Sequence, residues 1–258
     1  MALTPQAIRK PKTLTDLDYW RKCKLPVDVN SVTKSKTFMK KVVGIAFSNI
    51  CYLRTNFPDE SFHSFDFNKR QSCRMLQESS NNASNTMLKN LQGAFEAYDR
   101  GYLHKVEIVI KDGNNEDSGV IETYTFNFRA CDGKEFLMTM LQGTKDGVHK
   151  NIDVNSSMND PSARTTGMEL MRKATRTLMR ELSVAVEGLD MLPDTAMMEM
   201  HLEYSPDTPV DYNAPGFEDT NEAVKIAGQP EEVFNKKFNP LPTPYHKMQL
   251  KMKSRFGH

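Results

Sequence analysis

The first half of the sequence contains two stretches in which apolar residues recur every three or four positions, the spacing of one face of an α-helix. The first begins near Ser35 and ends at the Phe57-Pro58 pair. The second follows a run of polar cap residues at 79–82, and its apolar stripe extends from Ala83 to Tyr102. Residues 58–80 are polar and irregular. The pattern therefore predicts two core helices with an irregular connection between them.

After Tyr102 the period of the pattern changes from 3.6 to 2 residues, which is typical of strands. Val106, Ile108 and Ile110 alternate with their neighbours before a polar turn at 112–117, and residues 119–130 alternate in the same way. A β-hairpin is predicted here. Residues 136–141 are a candidate for a further extended piece, and the Gly-, Asp- and Asn-rich residues 142–160 predict a loop.

The second half of the sequence predicts a third helix and two late strands. Asp160-Pro161 supplies a cap and a favourable first helical position, and an apolar stripe from Met168 to Leu189 follows. Residues 197–204 alternate as a half-buried strand does, and residues 246–253 alternate as a terminal strand. We therefore predict an α+β domain, with three helices packed on one face of a mostly antiparallel sheet.

Length, charge and cysteine usage narrow the class of protein. The 258 residues suffice for one large domain, which we assign to 35–258, preceded by a flexible arm at 1–34 in which residues 14–20 form an apolar docking candidate. With 34 basic against 33 acidic residues, no bulk charge favours nucleic acid or an anionic membrane. The sequence contains the cysteines Cys23, Cys51, Cys73 and Cys131. Because they form no C-x-x-C pair, they indicate reduced thiols. No secretory or membrane-spanning segment is predicted.

Candidate chemistry is sparse. None of the histidines stands in a recognisable catalytic signature, and the sequence contains no P-loop, G-x-S-x-G, dinucleotide glycine pattern or H-E-x-x-H. We therefore expect no enzymatic activity, no cofactor and no metal site. The 16 methionines concentrate in the third helix and the two late strands, where they fit either ordinary core filling or an adaptable apolar groove for a peptide.

Three blocks of residues resemble the HORMA domain of meiotic chromosome-axis proteins. The first is Ala94-Phe-Glu-Ala-Tyr-Asp-Arg-Gly-Tyr-Leu103 with the hairpin that follows, up to Phe128. The second spans 199–217 and looks like the family's strand after the third helix and its connection. The third, 241–252, looks like the C-terminal "safety belt" strand, and the detail is most similar to the nematode axis proteins.

The resemblance implies a mechanism in which a partner's closure-motif peptide adds a strand to the sheet and the safety belt, residues 217–258, wraps over it. The expected partners are other meiotic axis proteins, with an AAA+ remodelling ATPase acting on the N-terminal arm and nucleic acid contacted only indirectly. The expected location is the nucleus, at the meiotic chromosome axis, with roles in homologue pairing, synapsis and crossover control. The predicted peptide-binding residues are Met171, Leu178, Met197, Met198, Glu199, Met200, His201, Leu202, Glu203, Tyr204, Tyr212, Phe238, Tyr245, His246, Met248 and Leu250.

Two alternatives remain open on the sequence. A checkpoint or DNA-repair adaptor of the same family would bind a different partner. A direct DNA-binding domain would use the lysines of the last strand, although their alternation with apolar residues also fits the solvated face of a strand.

Overall fold

Helices cover one face of an antiparallel sheet in the computed structural model, which describes residues 28–68, 71–114, 119–142, 161–219 and 233–256. The helices within these ranges are α1 Val32–Arg54, α2 Asn82–Arg100, α3 Gly133–Gln142 and α4 Pro161–Glu187. The strands are β1 Phe62–Asn68, β2 Gln71–Leu76, β3 Leu103–Asp112, β4 Val120–Ala130, β5 Ala196–Tyr204, β6 Phe234–Lys237, β7 Leu241–Pro242 and β8 His246–Ser254. The predicted α+β class is confirmed.

Helix α1 is the centre of the core. It begins after Ser31, whose side chain accepts a hydrogen bond from the backbone N–H of Lys34 at 3.2 Å. Phe38, Ile45 and Ile50 are fully buried, since α1 packs against α2, α4, β2 and β8. The predicted stripe therefore marks the right residues, and the helix starts slightly before the predicted boundary at Ser35.

The main sheet has the strand order β5-β3-β4-β8-β6, with β7 also paired to β8, and every pairing is antiparallel. Its inner face carries the apolar side chains of the alternating pattern, such as Ile108, Tyr124 and Leu250, which are fully buried. The C-terminal strand β8 thus lies in the interior of the sheet, separated from β5 by the two strands β3 and β4.

The prediction of an irregular connection over residues 58–80 is wrong. This region forms the two-stranded sheet β1–β2, which packs on α1. Its buried side chains among the described residues include Phe62, Cys73, Met75 and Leu76. Cys73 and Met75 show only one step of period-2 alternation, so the local pattern was too short to reveal the hairpin.

The extended piece predicted at 136–141 is wrong as well, because residues 133–142 form α3. The Asp132 side chain accepts a hydrogen bond from the backbone N–H of Glu135 at 2.7 Å, as an N-cap does. Phe136, Leu137 and Met140 are buried at helical spacing. Four helices, not three, are present among the residues described.

Some predictions fall outside the described part of the chain. They are the flexible arm up to residue 27 with its docking candidate at 14–20, residues 115–117 of the predicted turn, most of the predicted loop at 142–160, and residues 220–232 and 257–258 of the predicted safety belt. In the ranges that the structure covers, no helix is both long enough and apolar enough to cross a membrane.

Candidate peptide-binding site

Strand β5 is the outermost strand of the main sheet. One of its edges pairs with β3 from Leu103 to Asp112, and its other edge has no strand partner among the described residues. An unpaired edge presents backbone N–H and C=O groups that a further strand can bind. Because β5 is nine residues long, this edge can hold an extended peptide of similar length.

The inner face of β5 is apolar and rich in methionine. Met200 is buried opposite Ile108, and Leu202 is half-buried opposite Val106. The sulfur of Met198 lies 3.6 Å from the buried thiol of Cys51 on α1. Flexible thioether side chains can adjust to the side chains of an added strand. Burial raises the pKa of the Cys51 thiol, so this cysteine acts as a small core residue.

The outer face of β5 is charged. The Glu199 carboxylate lies 2.7 Å from Nζ of Lys111 and 3.0 Å from Nε2 of His201, and Glu203 lies 2.8 Å from Nζ of Lys105. Burial by itself raises the pKa of Glu199, but the hydrogen bonds from Lys111 and His201 outweigh it and lower the pKa. The hydrogen bond from Lys105 lowers the pKa of Glu203. Both carboxylates are therefore ionised at neutral pH.

The residues directly after β5, 205–217, form what we call the crossing segment, which passes over α2. The Tyr204 hydroxyl accepts a hydrogen bond from the backbone N–H of Ala214 at 2.9 Å. The ring of Tyr212 packs edge-on against Tyr102 and Tyr204, with centroid distances of 4.9 and 5.6 Å. The guanidinium of Arg100 lies 5.4 Å from the centroid of the Tyr212 ring. The start of the crossing segment is thus fixed to both β5 and α2.

Gly93 on α2 allows the crossing segment to approach the helix. A Cβ atom at this position would lie 2.0 Å from the carbonyl oxygen of Pro215, which is far inside van der Waals contact. Gly216 next to it has φ of 84°, a conformation that glycine adopts without strain. Close packing of backbone against helix therefore depends on these two glycines.

Replacing Gly93 by Ala is expected to destabilise the protein by about 1–3 kcal/mol, the usual range for overpacking a tight contact. Without the contact to Pro215, the same change in a helix would stabilise by about 1 kcal/mol, so the sign of the effect is diagnostic. Urea unfolding measures it, and Lys89→Ala, an exposed change on the same helix, serves as the control. A stabilised Gly93→Ala variant would mean that the crossing segment does not rest on α2.

Strand β8 pairs with β4 along its whole length, from His246 to Ser254. Its inner side chains Met248, Leu250 and Met252 are buried, with exposures of 1%, 0% and 0%, and they pair with Phe128, Phe126 and Tyr124. The opposite side carries Lys251 and Lys253, which are exposed. The predicted solvated face is therefore present at the C-terminal end of the strand, whereas Lys247, whose side chain is 14% exposed, pairs with Glu135.

The turn before β8 is tied to the start of α1. The Ser35 hydroxyl lies 2.6 Å from Oγ1 of Thr243 and 2.6 Å from Nδ1 of His246. The Tyr245 hydroxyl donates a hydrogen bond to the carbonyl of Asn30 at 2.9 Å. Burial, together with the charge of Lys36, lowers the pKa of His246. A neutral imidazole is therefore favoured beside Ser35 at neutral pH.

The other end of β8 is tied to a buried ion pair. Glu122 on β4 is fully buried and pairs with Arg54 at the end of α1, with 3.1 Å between Nε and Oε2. The carboxylate also accepts hydrogen bonds from the Tyr124 hydroxyl at 2.8 Å and from the Ser254 hydroxyl at 3.4 Å. This cluster joins α1, β4 and β8.

The structure brings nine of the sixteen predicted peptide-binding residues together. Residues 197–204 form β5 itself, and Tyr212 packs against the end of that strand. Among them Met197 is 56% exposed on the outer face, whereas Met200 is buried. These residues occupy one edge of the sheet and one adjoining surface.

The remaining predicted residues lie elsewhere. With strands spaced about 4.8 Å apart, β8 is about 14 Å from β5, so its side chains do not reach a strand added to the β5 edge. Met171 is fully buried on α4, and Leu178 lines a separate cleft of about 290 Å³ between α3, α4 and the Pro240 turn. The residues placed on or beside β8 are Phe238, Tyr245, His246, Met248 and Leu250.

Several residues around β5 were not predicted. Lys105 and Lys111 contact its carboxylates, and Tyr102 and Gly93 hold the crossing segment. They come from β3, from α2 and from the turn between these two elements, roughly ninety residues or more before the groups they contact. The only local signal for any of them concerns Tyr102, which directly follows Gly101, the glycine that ends α2.

Within the described ranges, no three His, Cys, Asp or Glu residues stand together in an arrangement that could hold a metal ion. Cys51 and Cys131 are free thiols. The site that the geometry offers is thus a strand edge and its two faces.

Comparisons with known proteins agree on one family. The family model described as HORMA domain matches residues 35–246. HORMA domain-containing protein 2 of Mus musculus is 25% identical over 230 residues, covering 88% of this chain and 69% of its own length. HORMA domain-containing protein 1 of Rattus norvegicus is 26% identical over 230 residues, covering 88% of this chain but only 54% of its own length.

Two solved structures have the same fold as this chain. The structure of C. elegans HTP-2 bound to HTP-3 closure motif 1 matches with a TM-score of 0.69 and 19% identity, covering 99% of this chain and 97% of that one. The structure of C. elegans HTP-1 bound to the HIM-3 closure motif matches with a TM-score of 0.66 and 21% identity, covering 92% of this chain and 96% of that one.

Proposed function

This chain belongs to the HORMA domain family, and we propose that it binds a short peptide of a partner protein as an added strand on the outer edge of β5. One observation carries the proposal. The edge of β5 is unpaired among the described residues, while β8 pairs with β4 two strands away, so the chain between them spans from one side of the sheet to the other. In this proposal the safety belt, residues 217–258, covers a peptide held on β5.

The proposed setting is the meiotic chromosome axis in the nucleus. There the protein acts as an adaptor that is recruited through the closure motif of another axis protein and supports homologue pairing, synapsis and crossover control. The resemblance of residues 94–128 and 199–217 to axis proteins supports this setting. So do the similar structures of HTP-2 and HTP-1, which hold closure motifs of HTP-3 and HIM-3.

Three further features belong to the proposal. The protein is an adaptor without enzymatic activity, it contacts nucleic acid through its partners, and an AAA+ ATPase remodels it through the N-terminal arm. The supporting observation for the first is the nature of the site, which offers backbone groups, methionines and ion pairs on β5. These groups recognise a strand and contain no activated nucleophile.

The experiment is a binding screen of peptides tiled across meiotic axis proteins, followed by hydrogen exchange on the complex with the best binder. Strand addition should slow exchange of alternate backbone amides within 196–204, because only every second amide of a strand points to a given edge. Each new hydrogen bond contributes about 1 kcal/mol, so we expect slowing by about fivefold or more. Protection confined to another surface, such as the cleft between α3 and α4, would contradict the proposal.

A further inference from the structure

The charge pattern on the outer face of β5 carries information about the peptide. We propose, on the premise that β5 binds a peptide as stated above, that this peptide has basic residues at two positions four apart, opposite Glu199 and Glu203. Apolar residues occupy the positions next to them. The peptide is therefore selected by charge on one face and by apolar packing on the other.

Among the described residues, the ammonium groups that pair with the two carboxylates come from β3, and Glu199 also contacts His201 on β5 itself. Lys111 and Lys105 approach them from β3, the inner neighbour of β5. On the other side the side chains remain open, with exposures of 39% for Glu199 and 53% for Glu203. A residue on an added strand directly opposite each carboxylate would share its face at about 5 Å between Cβ atoms. Lys or Arg there completes a cross-strand ion pair, whereas Asp or Glu is repelled.

The spacing follows from the strand itself. Glu199 and Glu203 are four residues apart on one face of β5, about 13 Å along the strand. Residues opposite them on an added strand are also four apart, whichever direction that strand runs. The position between them faces His201, which is flanked by the Glu199 carboxylate at 3.0 Å and lies opposite Glu107.

The local charge balance favours the same peptide. The outer face of β3 and β5 holds three carboxylates, on Glu107, Glu199 and Glu203, against the ammonium groups of Lys105 and Lys111. At the far side of the sheet, the exposed ammonium groups of β8 lie on the same outer face. A basic peptide is therefore attracted to the β5 edge and repelled from the β8 side.

The inner face of β5 determines which residues are favoured at the peptide positions next to the basic ones. Side chains opposite Met198, Met200 and Leu202 point toward the core, where these residues are buried or half-buried. Apolar groups are favoured there because a charged group would lose its hydration. The expected pattern is thus apolar, basic, apolar, any residue, apolar, basic.

The test is selection of binders from a phage-displayed library of random peptides, using the full chain. With the wild type, we expect Lys or Arg to be enriched at two positions four apart. With Glu199→Lys/Glu203→Lys, the enrichment should change to Asp or Glu. The matched control Glu169→Lys/Glu187→Lys changes the net charge equally on exposed positions of α4 and should select the wild-type pattern.

A second variant, Glu199→Gln/Glu203→Gln, removes the charges without placing new cations beside Lys111 and Lys105. A basic peptide selected on the wild type should bind it about tenfold more weakly, from two cross-strand pairs of about 0.7 kcal/mol each. Two results would contradict the proposed charge pattern while leaving strand addition intact. In the first, peptides that hydrogen exchange locates on β5 lack the pair of basic residues. In the second, such peptides bind the wild type and both variants with the same affinity. If no peptide is selected at all, strand addition itself fails, and this inference fails with it.

Discussion

Replacing Glu122 by Gln is expected to lower the free energy of unfolding by about 3–5 kcal/mol, the usual cost of removing one partner of a buried ion pair. The Arg54 side chain is only 6% exposed and that of Glu122 is fully buried. Gln keeps the shape of Glu122 but removes its negative charge. The guanidinium of Arg54 would then be buried without a counter-charge.

The Glu122→Gln substitution is also expected to weaken hydrogen bonds of groups beyond the ion pair. Burial, followed by the neighbouring carboxylate of Glu122, raises the pKa of Tyr124 well above its ordinary value, so its hydroxyl stays protonated and donates to that carboxylate. Ser254 at the end of β8 donates to the same group. We therefore expect the C-terminal end of β8 to exchange its amide hydrogens faster in the variant.

Urea unfolding measures the loss, with Glu96→Gln as the matched control. Glu96 pairs with Arg100 on the surface of α2, where side-chain exposures are 40% and 53%, so its removal should cost less than about 1 kcal/mol. In a double-mutant cycle with Arg54→Met, the combined loss should be smaller than the sum of the single losses. Equal small losses for Glu122→Gln and Glu96→Gln would show that the buried cluster does not hold α1, β4 and β8 together.

The elements with long, regular patterns were predictable from the sequence. Helices α1, α2 and α4 and strands β3, β4, β5 and β8 each carry a sustained period of 3.6 or 2 residues, and all of them form where predicted. The predictions for helix α3 and the β1–β2 hairpin were wrong because these elements are short and their patterns allow more than one interpretation. Packing on α4 for α3, and on α1 for the hairpin, supplies what the local sequence lacks.

The candidate site was predictable only in part, for a related reason. Alternation between methionine and charged residues identified β5 as a two-faced strand. Its position at the edge of the sheet depends on the pairing of β5 with β3, and the place of β8 depends on its pairing with β4. Such long-range pairings follow from the whole fold, so residues near β8 were assigned to the same site although two strands separate them.

A disulfide that links β4 to β8 is expected to block both the binding and the release of the peptide. Thr125 and Lys251 are cross-strand partners on the outer face, where Cα atoms of antiparallel strands lie about 4.5–5.5 Å apart, a distance that a disulfide spans. If the safety belt must release β8 before a peptide can lie beneath it, fixing β8 to β4 blocks both loading and release. Thr125→Cys/Lys251→Cys, with Cys23 and Cys131 changed to Ser, provides this link.

The control is a second engineered disulfide at Ser64 and Arg74, which are partners in the β1–β2 hairpin away from β5 and β8. Its oxidation should leave both loading and release unchanged. The ligand carries the selected peptide between two folded protein modules, so that it cannot slide out lengthwise. Reduction of either variant should restore ordinary binding, which excludes damage by the substitutions themselves.

The most direct measurement is therefore the release of this doubly capped ligand from the Thr125→Cys/Lys251→Cys protein, oxidised either before or after mixing. The safety-belt mechanism predicts no binding when the disulfide forms first, and no release, even against excess competitor, when it forms on the complex. Binding and release that proceed at the reduced protein's rates in both oxidised samples would contradict the claim that the safety belt, whose strand β8 docks on β4, closes over a peptide held on β5.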